Sequence, residues 1–254
     1  MTDAPAIEVD RVSLTYPGHP AVAALGDASL TVERGAFVSL VGPSGCGKST
    51  LLKVLAGLVR PHAGTARVGG QDTTGSAGLA AYMPQRDLLL PWRRSLGNAV
   101  LGAELAGVPV ATARAQARAL LERFGLEGFE RAWPTELSGG MRQRLALLRT
   151  FLTPRDVLLL DEPFGALDAL TRREMQEWLQ EVWRQDGRSV LLVTHDIDEA
   201  LVLSDAIYVM SARPGRIVRR IEVDLPRPRG ALDTTSARFG ALKAQVIEAL
   251  SAGR

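Results

Sequence analysis

The chain has 254 residues, of which 46% are apolar and 23% are charged, so it has the composition of a globular protein and is neither disordered nor collagen-like. Its 30 basic and 28 acidic side chains leave a formal charge of +2, and this narrow surplus gives no indication of a nucleic-acid partner. The chain has one cysteine, no secretory leader pattern at its start and no apolar run near the ~18 residues of a membrane span, which predicts a cytosolic protein without disulfides.

The first predicted elements are two strands at the periphery of the fold. Apolar and polar residues alternate in residues 7–14 and 28–33, as they do in strands that bury one face. A short apolar run at 37–41 then enters a glycine-rich turn, and residues 48–58 place leucines at helical spacing. The sequence therefore predicts a peripheral antiparallel sheet followed by a strand, a loop and a helix.

Later apolar runs without alternation predict central strands covered by helices on both faces. These runs are residues 80–83, 157–160, 189–194 and 206–210. Between the first two, residues of about 86–153 show helical spacing at 112–124 and 141–152, which predicts an inserted helical subdomain. We therefore expect an α/β fold with a mainly parallel sheet in a domain over residues 1–222. A C-terminal tail with a possible helix would follow over residues 223–254.

The first functional signal is a glycine-rich segment between the predicted strand and helix. It consists of Gly42, Pro43, Ser44, Gly45, Cys46, Gly47, Lys48, Ser49 and Thr50. The segment matches the Gly-x-x-x-x-Gly-Lys-Ser/Thr phosphate loop, with a strand before it and a helix after it. The glycines let backbone amides turn toward phosphates at a helix N-terminus, while Lys48 would reach the terminal phosphates and Ser49 would ligate Mg²⁺. The sequence therefore predicts nucleotide binding.

A second signal follows the apolar run 157–160, where Asp161 and Glu162 stand side by side. In enzymes with phosphate loops the aspartate at this strand end holds Mg²⁺, and a following glutamate orients and deprotonates the attacking water. Taken alone, the pattern also fits a buried strand with a solvated acidic end. With the phosphate loop upstream, we interpret Asp161 as a metal partner and Glu162 as the general base.

Residues 137–144, Leu-Ser-Gly-Gly-Met-Arg-Gln-Arg, provide the third signal. Ser138, Gly139 and Gly140 expose amides at the positive start of a predicted helix, which favours a second anion site. With the two earlier motifs, this segment resembles the signature motif of ATP-binding cassette (ABC) ATPases. It departs from the most familiar spelling at Met141, because methionine cannot donate the hydrogen bonds of the usual glutamine.

The resemblance extends over about residues 7–220 and implies roles for further side chains. Tyr16 resembles the aromatic residue that stacks on adenine. Gln85 resembles the glutamine that senses Mg²⁺ and the terminal phosphate, and His195 resembles the switch histidine that contacts the γ-phosphate. Asp168 resembles the aspartate of the D-loop, which communicates across a dimer.

The family also implies a fold, cofactors and an assembly. The fold would be a phosphate-loop ATPase of the ABC type, with a mainly parallel central sheet, an antiparallel β subdomain and an inserted α-helical subdomain. The cofactors would be ATP and Mg²⁺, the latter held by Ser49, Gln85 and Asp161. Two chains would form a head-to-tail homodimer, in which residues of one chain complete the ATP site of the other. Those residues are Ser138, Gly139, Gly140 and Asp168.

Two segments resemble importers of the nitrate, sulfonate and taurine group. Residues 87–93, Asp-Leu-Leu-Leu-Pro-Trp-Arg, place apolar side chains in a predicted surface loop, as expected at a partner interface, although the leucines could instead pack the helical insert. Residues 211–217, Ser-Ala-Arg-Pro-Gly-Arg-Ile, also resemble this group. The resemblance implies a subunit that docks on a transmembrane permease at the cytoplasmic face of the inner membrane, with a periplasmic or lipid-anchored solute-binding protein as an indirect partner.

Several alternatives stay open at this point. The cargo could be nitrate, an aliphatic sulfonate, taurine or a pyrimidine precursor of thiamine. A soluble ABC ATPase that acts on nucleic acid is one alternative, and the arginines between residues 213 and 229 give it some support. Those arginines also fit a solvated face near anionic lipid. In addition, the chain has one phosphate loop and no room for a long coiled-coil insertion. Glu162 and His195 disfavour a regulatory cassette that does not hydrolyse ATP.

Overall fold

The computed structural model describes residues 4–230 and 232–253. An antiparallel sheet contains β1 (Ile7–Tyr16), β2 (Val22–Val32), β4 (Ala63–Val68) and β5 (Gln71–Asp72), in the order β2-β1-β4-β5. The first two strands pair from Ile7 with Val32 to Tyr16 with Val22. This sheet confirms the antiparallel β subdomain, although the sequence pattern predicted only its first two strands.

A six-stranded sheet forms the centre of the fold. It contains β3 (Phe37–Val41), β6 (Ala81–Met83), β7 (Val157–Asp161), β8 (Ser189–Thr194), β9 (Ala206–Met210) and β10 (Ile217–Glu222). The order is β10-β9-β3-β8-β7-β6, and only the β10–β9 pair is antiparallel. Every residue of β3, β7, β8 and β9 is buried, which explains why these runs lack alternation. The mainly parallel central sheet is confirmed.

The helices are α1 (Lys48–Leu55), α2 (Ser95–Ala99), α3 (Leu101–Leu105), α4 (Val110–Leu121), α5 (Gly139–Leu152), α6 (Ala169–Asp186), α7 (Ile197–Leu203) and α8 (Ala237–Ala252). Helices α2 to α5 lie between β6 and β7 in the chain and contact one another, so the inserted helical part is confirmed. Ala103, Ala113 and Ala117 are fully buried there. Their small side chains let the helices approach closely. Across residues 4–230 and 232–253, no helix has the length and apolar character needed to cross a membrane.

Two apolar clusters cover the two faces of the central sheet. Leu158 and Leu160 of β7 belong to the cluster that the helices of the insert share with α6, α7 and α8. Leu159, between them, belongs to the cluster formed with α1 and the antiparallel sheet. Because successive side chains of a strand point to opposite faces, each central strand stabilises both clusters. The carboxyl ends of these strands remain free to carry polar groups.

The C-terminal segment packs against the domain. Phe239, Leu242 and Val246 of α8 are buried in the apolar cluster that also contains side chains of the inserted helices. Helix α8 contacts α7, β9 and β10. Arg229 precedes this helix, is 3% exposed, and donates hydrogen bonds to the carbonyl oxygens of Leu201 and Val223. The tail is therefore joined to the helix that follows His195.

Candidate nucleotide-binding site

The phosphate loop, residues 42–47, joins β3 to α1 in a conformation that requires glycine. Gly45 has a φ of 74° and Gly47 a φ of 119°, values that residues with a Cβ rarely adopt. At Gly47 a Cβ would also lie 2.5 Å from the carbonyl oxygen of Ala24. The loop therefore turns closely against β2 and leaves the positive N-terminus of α1 facing the adjacent cavity.

Lys48, the first residue of α1, is buried beneath the loop. Its Nζ donates hydrogen bonds to the carbonyl oxygens of Gly42 at 2.8 Å and Pro43 at 2.9 Å. Cys46 is buried as well, with its Sγ 3.8 Å from the same Nζ. A primary ammonium held by neutral carbonyls can exchange one of them for a phosphate oxygen, which is a stronger acceptor.

Ser49 and Asp161 bring two oxygen ligands together. Ser49 Oγ donates to Asp161 Oδ1 at 3.0 Å. Burial raises the pKa of the Asp161 carboxyl, although the hydrogen bond from Ser49 acts in the opposite direction. A hydroxyl beside a carboxylate is a hard oxygen pair that suits Mg²⁺. In the part of the chain that the structure describes, no group of three or more His, Cys, Asp and Glu could hold a metal ion.

Gln85 and His195 both approach the carboxylate of Glu162. Its Oε2 accepts a hydrogen bond from Gln85 Nε2 at 3.2 Å and lies 3.4 Å from His195 Nδ1. Glu162 has a φ of 49°, and its backbone N–H donates to Val193 at 2.9 Å. A positive φ is uncommon outside glycine, so the end of β7 holds this side chain in a defined direction. A carboxylate placed in this way can orient a water molecule and accept its proton.

One cavity of about 250 Å³ is lined by nine of the eighteen predicted site residues. Its lining residues are Tyr16, Val22, Ala24, Ser44, Gly45, Gly47, Lys48, Ser49, Thr50, Gln85, Glu162 and Arg213. The half-buried Tyr16 at the end of β1 contributes an aromatic side chain to this lining. Sequence reasoning missed Val22, Ala24 and Arg213 as site residues, and Arg213 stood out only within residues 211–217 and among the arginines of residues 213–229.

Ser138, Gly139, Gly140 and Asp168, the residues predicted to act across a dimer, are not among the described residues that line this cavity. Ser138 Oγ caps α5 by accepting a hydrogen bond from Met141 N at 3.2 Å. Asp168 caps α6, and the hydrogen bonds that it accepts from Thr171 and Leu170 lower the pKa of its carboxyl. A Cβ on Gly140 would lie 3.5 Å from Ala166, so the signature segment, which includes Gly139, is adjacent to the D-loop.

The chain is similar in sequence and in fold to known proteins. Residues 25–165 match the family described as ABC transporter. The chain is 42% identical over 231 residues to a taurine import ATP-binding protein of Pseudomonas aeruginosa, covering 89% of this chain and 88% of that protein. It is also 42% identical over 224 residues to an aliphatic sulfonates import ATP-binding protein of Bacillus licheniformis, covering 88% and 86%. A dimeric ATP-binding cassette solved with ADP and Pi superimposes with a TM-score of 0.77 at 28% identity, covering 87% of this chain and 100% of that one.

Proposed function

Because the chain belongs to the ABC transporter family and is an ATPase of the cassette type that uses ATP and Mg²⁺, we propose that it powers the import of a small sulfonate such as taurine through a separate permease. The observation that carries the enzymatic part is the convergence of Gln85 and His195 on Glu162 at the cavity that also contains Lys48. The cargo class is supported by relatives named for taurine and aliphatic sulfonate import.

In this proposal the phosphate loop and Lys48 hold the β- and γ-phosphates of ATP. Glu162 accepts the proton of the attacking water, and Gln85 fixes the carboxylate oxygen that receives it. His195, whose Nδ1 lies 3.4 Å from the same Oε2 of Glu162, would contact the γ-phosphate. Ser49 and Asp161, with Gln85, would hold Mg²⁺, which when bound neutralises phosphate charge.

We further propose that two chains assemble head to tail. Within one chain Ser138, Gly139 and Gly140 lie outside the cavity, so their free amides are available to the triphosphate of a second chain. Asp168, on the neighbouring D-loop, would contact the partner beside that site. Closure would surround the γ-phosphate from both sides and exclude water, which strengthens every electrostatic contact there.

The permease would dock at the loop of residues 87–93. Leu88 is 59% exposed and Trp92 is 71% exposed, whereas Leu89 is 8% exposed and packs in the core. The loop therefore fits both sequence-based interpretations, because Leu89 packs in the core while Leu88 and Trp92 form an apolar surface for a partner. Arg142 Nε donates to Asp87 at 3.1 Å, and Arg149 donates to the backbone of Leu88 at 2.9 Å. Both arginines belong to α5, so a movement of the loop on docking would be transmitted to this helix, which begins at the signature segment.

This role would locate the protein on the cytoplasmic face of the cell membrane, with a solute-binding protein as an indirect partner. The nucleic-acid alternative is disfavoured because two of the arginines that supported it are used internally. Arg227 pairs with Asp205 at 2.8 Å, and Arg229 is buried. The thiamine-precursor alternative has no matching name among the relatives described above, and nitrate stays within the expected group of cargoes.

Substitution of Lys48 tests the nucleotide site. Lys48→Ala should weaken Mg-ATP binding at least about tenfold, because a charged hydrogen bond to phosphate contributes about 1.5–3 kcal/mol. Lys53→Ala is the matched control, since it removes an exposed lysine from the same helix. Isothermal titration would measure both affinities. Unchanged affinity in Lys48→Ala would overturn the assignment of the phosphate loop.

Substitution of Glu162 tests the catalytic assignment and the dimer together. Glu162→Gln should keep ATP binding but stop hydrolysis, because an amide cannot accept the proton of water. We expect closed dimers to accumulate when this variant is sized with Mg-ATP, and to be absent without nucleotide. Monomers in the presence of saturating Mg-ATP would contradict either the general-base role or the dimer.

A further inference from the structure

The hairpin of residues 211–216, which joins β9 to β10, lies against the phosphate loop. Gly215 N donates to the carbonyl oxygen of Ala24 at 3.0 Å, and Gly26 N donates to Gly215 at 3.1 Å. A Cβ on Gly215 would lie 2.2 Å from the carbonyl oxygen of Cys46, so the hairpin backbone touches the loop directly. The hairpin is thus fixed between β2 and the phosphate loop.

Arg213 extends from this hairpin to the phosphate loop. Its Nε and Nη2 donate to the carbonyl oxygen of Gly45 at 3.0 Å and 2.7 Å, and its exposed side chain lines the nucleotide cavity. Among the described residues it forms no ion pair with a carboxylate. Its charge is therefore available to the loop and to the phosphates that the loop holds.

We propose that Arg213 is a positioning residue of the nucleotide site, acting through the peptide unit between Gly45 and Cys46. Because a peptide unit is planar, fixing the Gly45 carbonyl also fixes the direction of the Cys46 N–H. That N–H donates to the Pro43 carbonyl at 3.3 Å, which also accepts from Lys48. One chain of hydrogen bonds thus runs from Arg213 through the loop to the phosphate-binding lysine.

The electrostatic consequence concerns nucleotides that carry phosphates. Without Arg213 the partial negative charge of the Gly45 carbonyl would be uncompensated at the edge of the cavity, and the loop would lose the bonds that orient it. Both effects weaken attraction for phosphate groups, since the field in such a cleft depends on fixed dipoles and nearby charges. The Glu162 cluster would stay in place, because within residues 4–230 and 232–253 no hydrogen bond or ion pair joins Glu162 to Arg213. The inference rests on the proposed ATP site and adds a residue to it.

The test compares Arg213→Ala and Arg213→Lys with Arg216→Ala, which removes an exposed arginine from the same hairpin. Isothermal titration with Mg-ATP and Mg-ADP should show affinities for Arg213→Ala about tenfold weaker, the loss expected for a charge-assisted hydrogen bond. Under turnover KM should rise while kcat stays within about twofold. Arg213→Lys should recover little affinity, because lysine lacks the planar fork. Melting temperatures without nucleotide should match the wild type.

Wild-type affinities in Arg213→Ala would overturn the inference, and full recovery in Arg213→Lys would overturn the two-bond geometry. An equal loss in Arg216→Ala would also overturn it, since the effect would then belong to the charge of the hairpin. These failures are distinct from failure of the proposed function. If Lys48→Ala loses binding while Arg213→Ala does not, only the role of Arg213 is wrong.

Discussion

Asp161 and Asp168 are both acidic residues at the ends of elements, but their surroundings affect them in opposite ways. Asp161 is 2% exposed, and burial raises the pKa of its carboxyl. Asp168 is exposed at the start of α6, where hydrogen bonds from Thr171 hold the pKa of its carboxyl low. A buried anion without a cation destabilises the fold. Asp161 is therefore suited to a bound cation, whereas Asp168 is stable as an anion on the surface.

Asp161→Asn should separate stability from metal binding. The amide keeps an oxygen for the Ser49 hydrogen bond but removes the buried charge, so the melting temperature without nucleotide should rise at pH 7. The factor by which Mg²⁺ increases ATP affinity should be at least about tenfold smaller in this variant than in the wild type, because a metal ligand is lost. Asp156→Asn, just before the other end of β7, is the control. A variant whose ATP binding responds to Mg²⁺ like the wild type would exclude Asp161 as a ligand.

The local sequence pattern was sufficient to predict a strand or helix wherever the burial of its residues is uniform or strictly periodic. Strands β3, β7, β8 and β9 are buried, mainly apolar runs, and the site motifs at their ends follow from short-range spacing. By contrast, β10 exposes most of its side chains, so only its pairing with β9 identifies it. Helix α6 is rich in charged residues and was not predicted. The bond from Arg213 to Gly45 spans 168 positions, and no sequence pattern could have indicated it.

Helix α7 follows His195 and contains a buried acid, Glu199. Burial raises the pKa of Glu199 from its ordinary value of 4.5 to about 7, Asp196 adds to this effect, and a hydrogen bond from Thr194 opposes it. The folded state therefore retains a proton that the unfolded state releases. It follows that the free energy of unfolding should fall as the pH rises from 4.5 to about 7. Above that range this group adds no further change.

Urea unfolding at pH 5 and pH 8 tests this dependence. Glu199 should contribute a loss of about 3 kcal/mol at most between the two values, by the free-energy equivalent of its pKa change. Glu199→Gln should remove this contribution, since an amide does not titrate. Glu177→Gln, an exposed position on α6, should leave it unchanged. An identical pH dependence in wild type and Glu199→Gln would refute the buried proton.

For the whole molecule, the central question is how the cavity and the signature surface work together. The cavity is lined by the phosphate loop, Gln85 and Glu162, while Ser138 lies outside it on the surface shared with the D-loop. One chain therefore carries both halves of the proposed composite site, but in separate places. A head-to-tail pair would form two such sites, each with a loop from one chain and a signature segment from the other.

Mixing two inactive variants tests this arrangement. Lys48→Ala disables the phosphate loop of a chain, and Ser138→Glu disables its signature segment by adding negative charge where a partner's γ-phosphate would lie. Each variant alone should lack ATPase activity. In random mixtures half of the dimers are mixed, and each has one intact site, so about a quarter of the wild-type rate should return if the sites act independently. If both motifs served ATP within one chain, mixing would restore nothing, and the head-to-tail dimer would have to be abandoned.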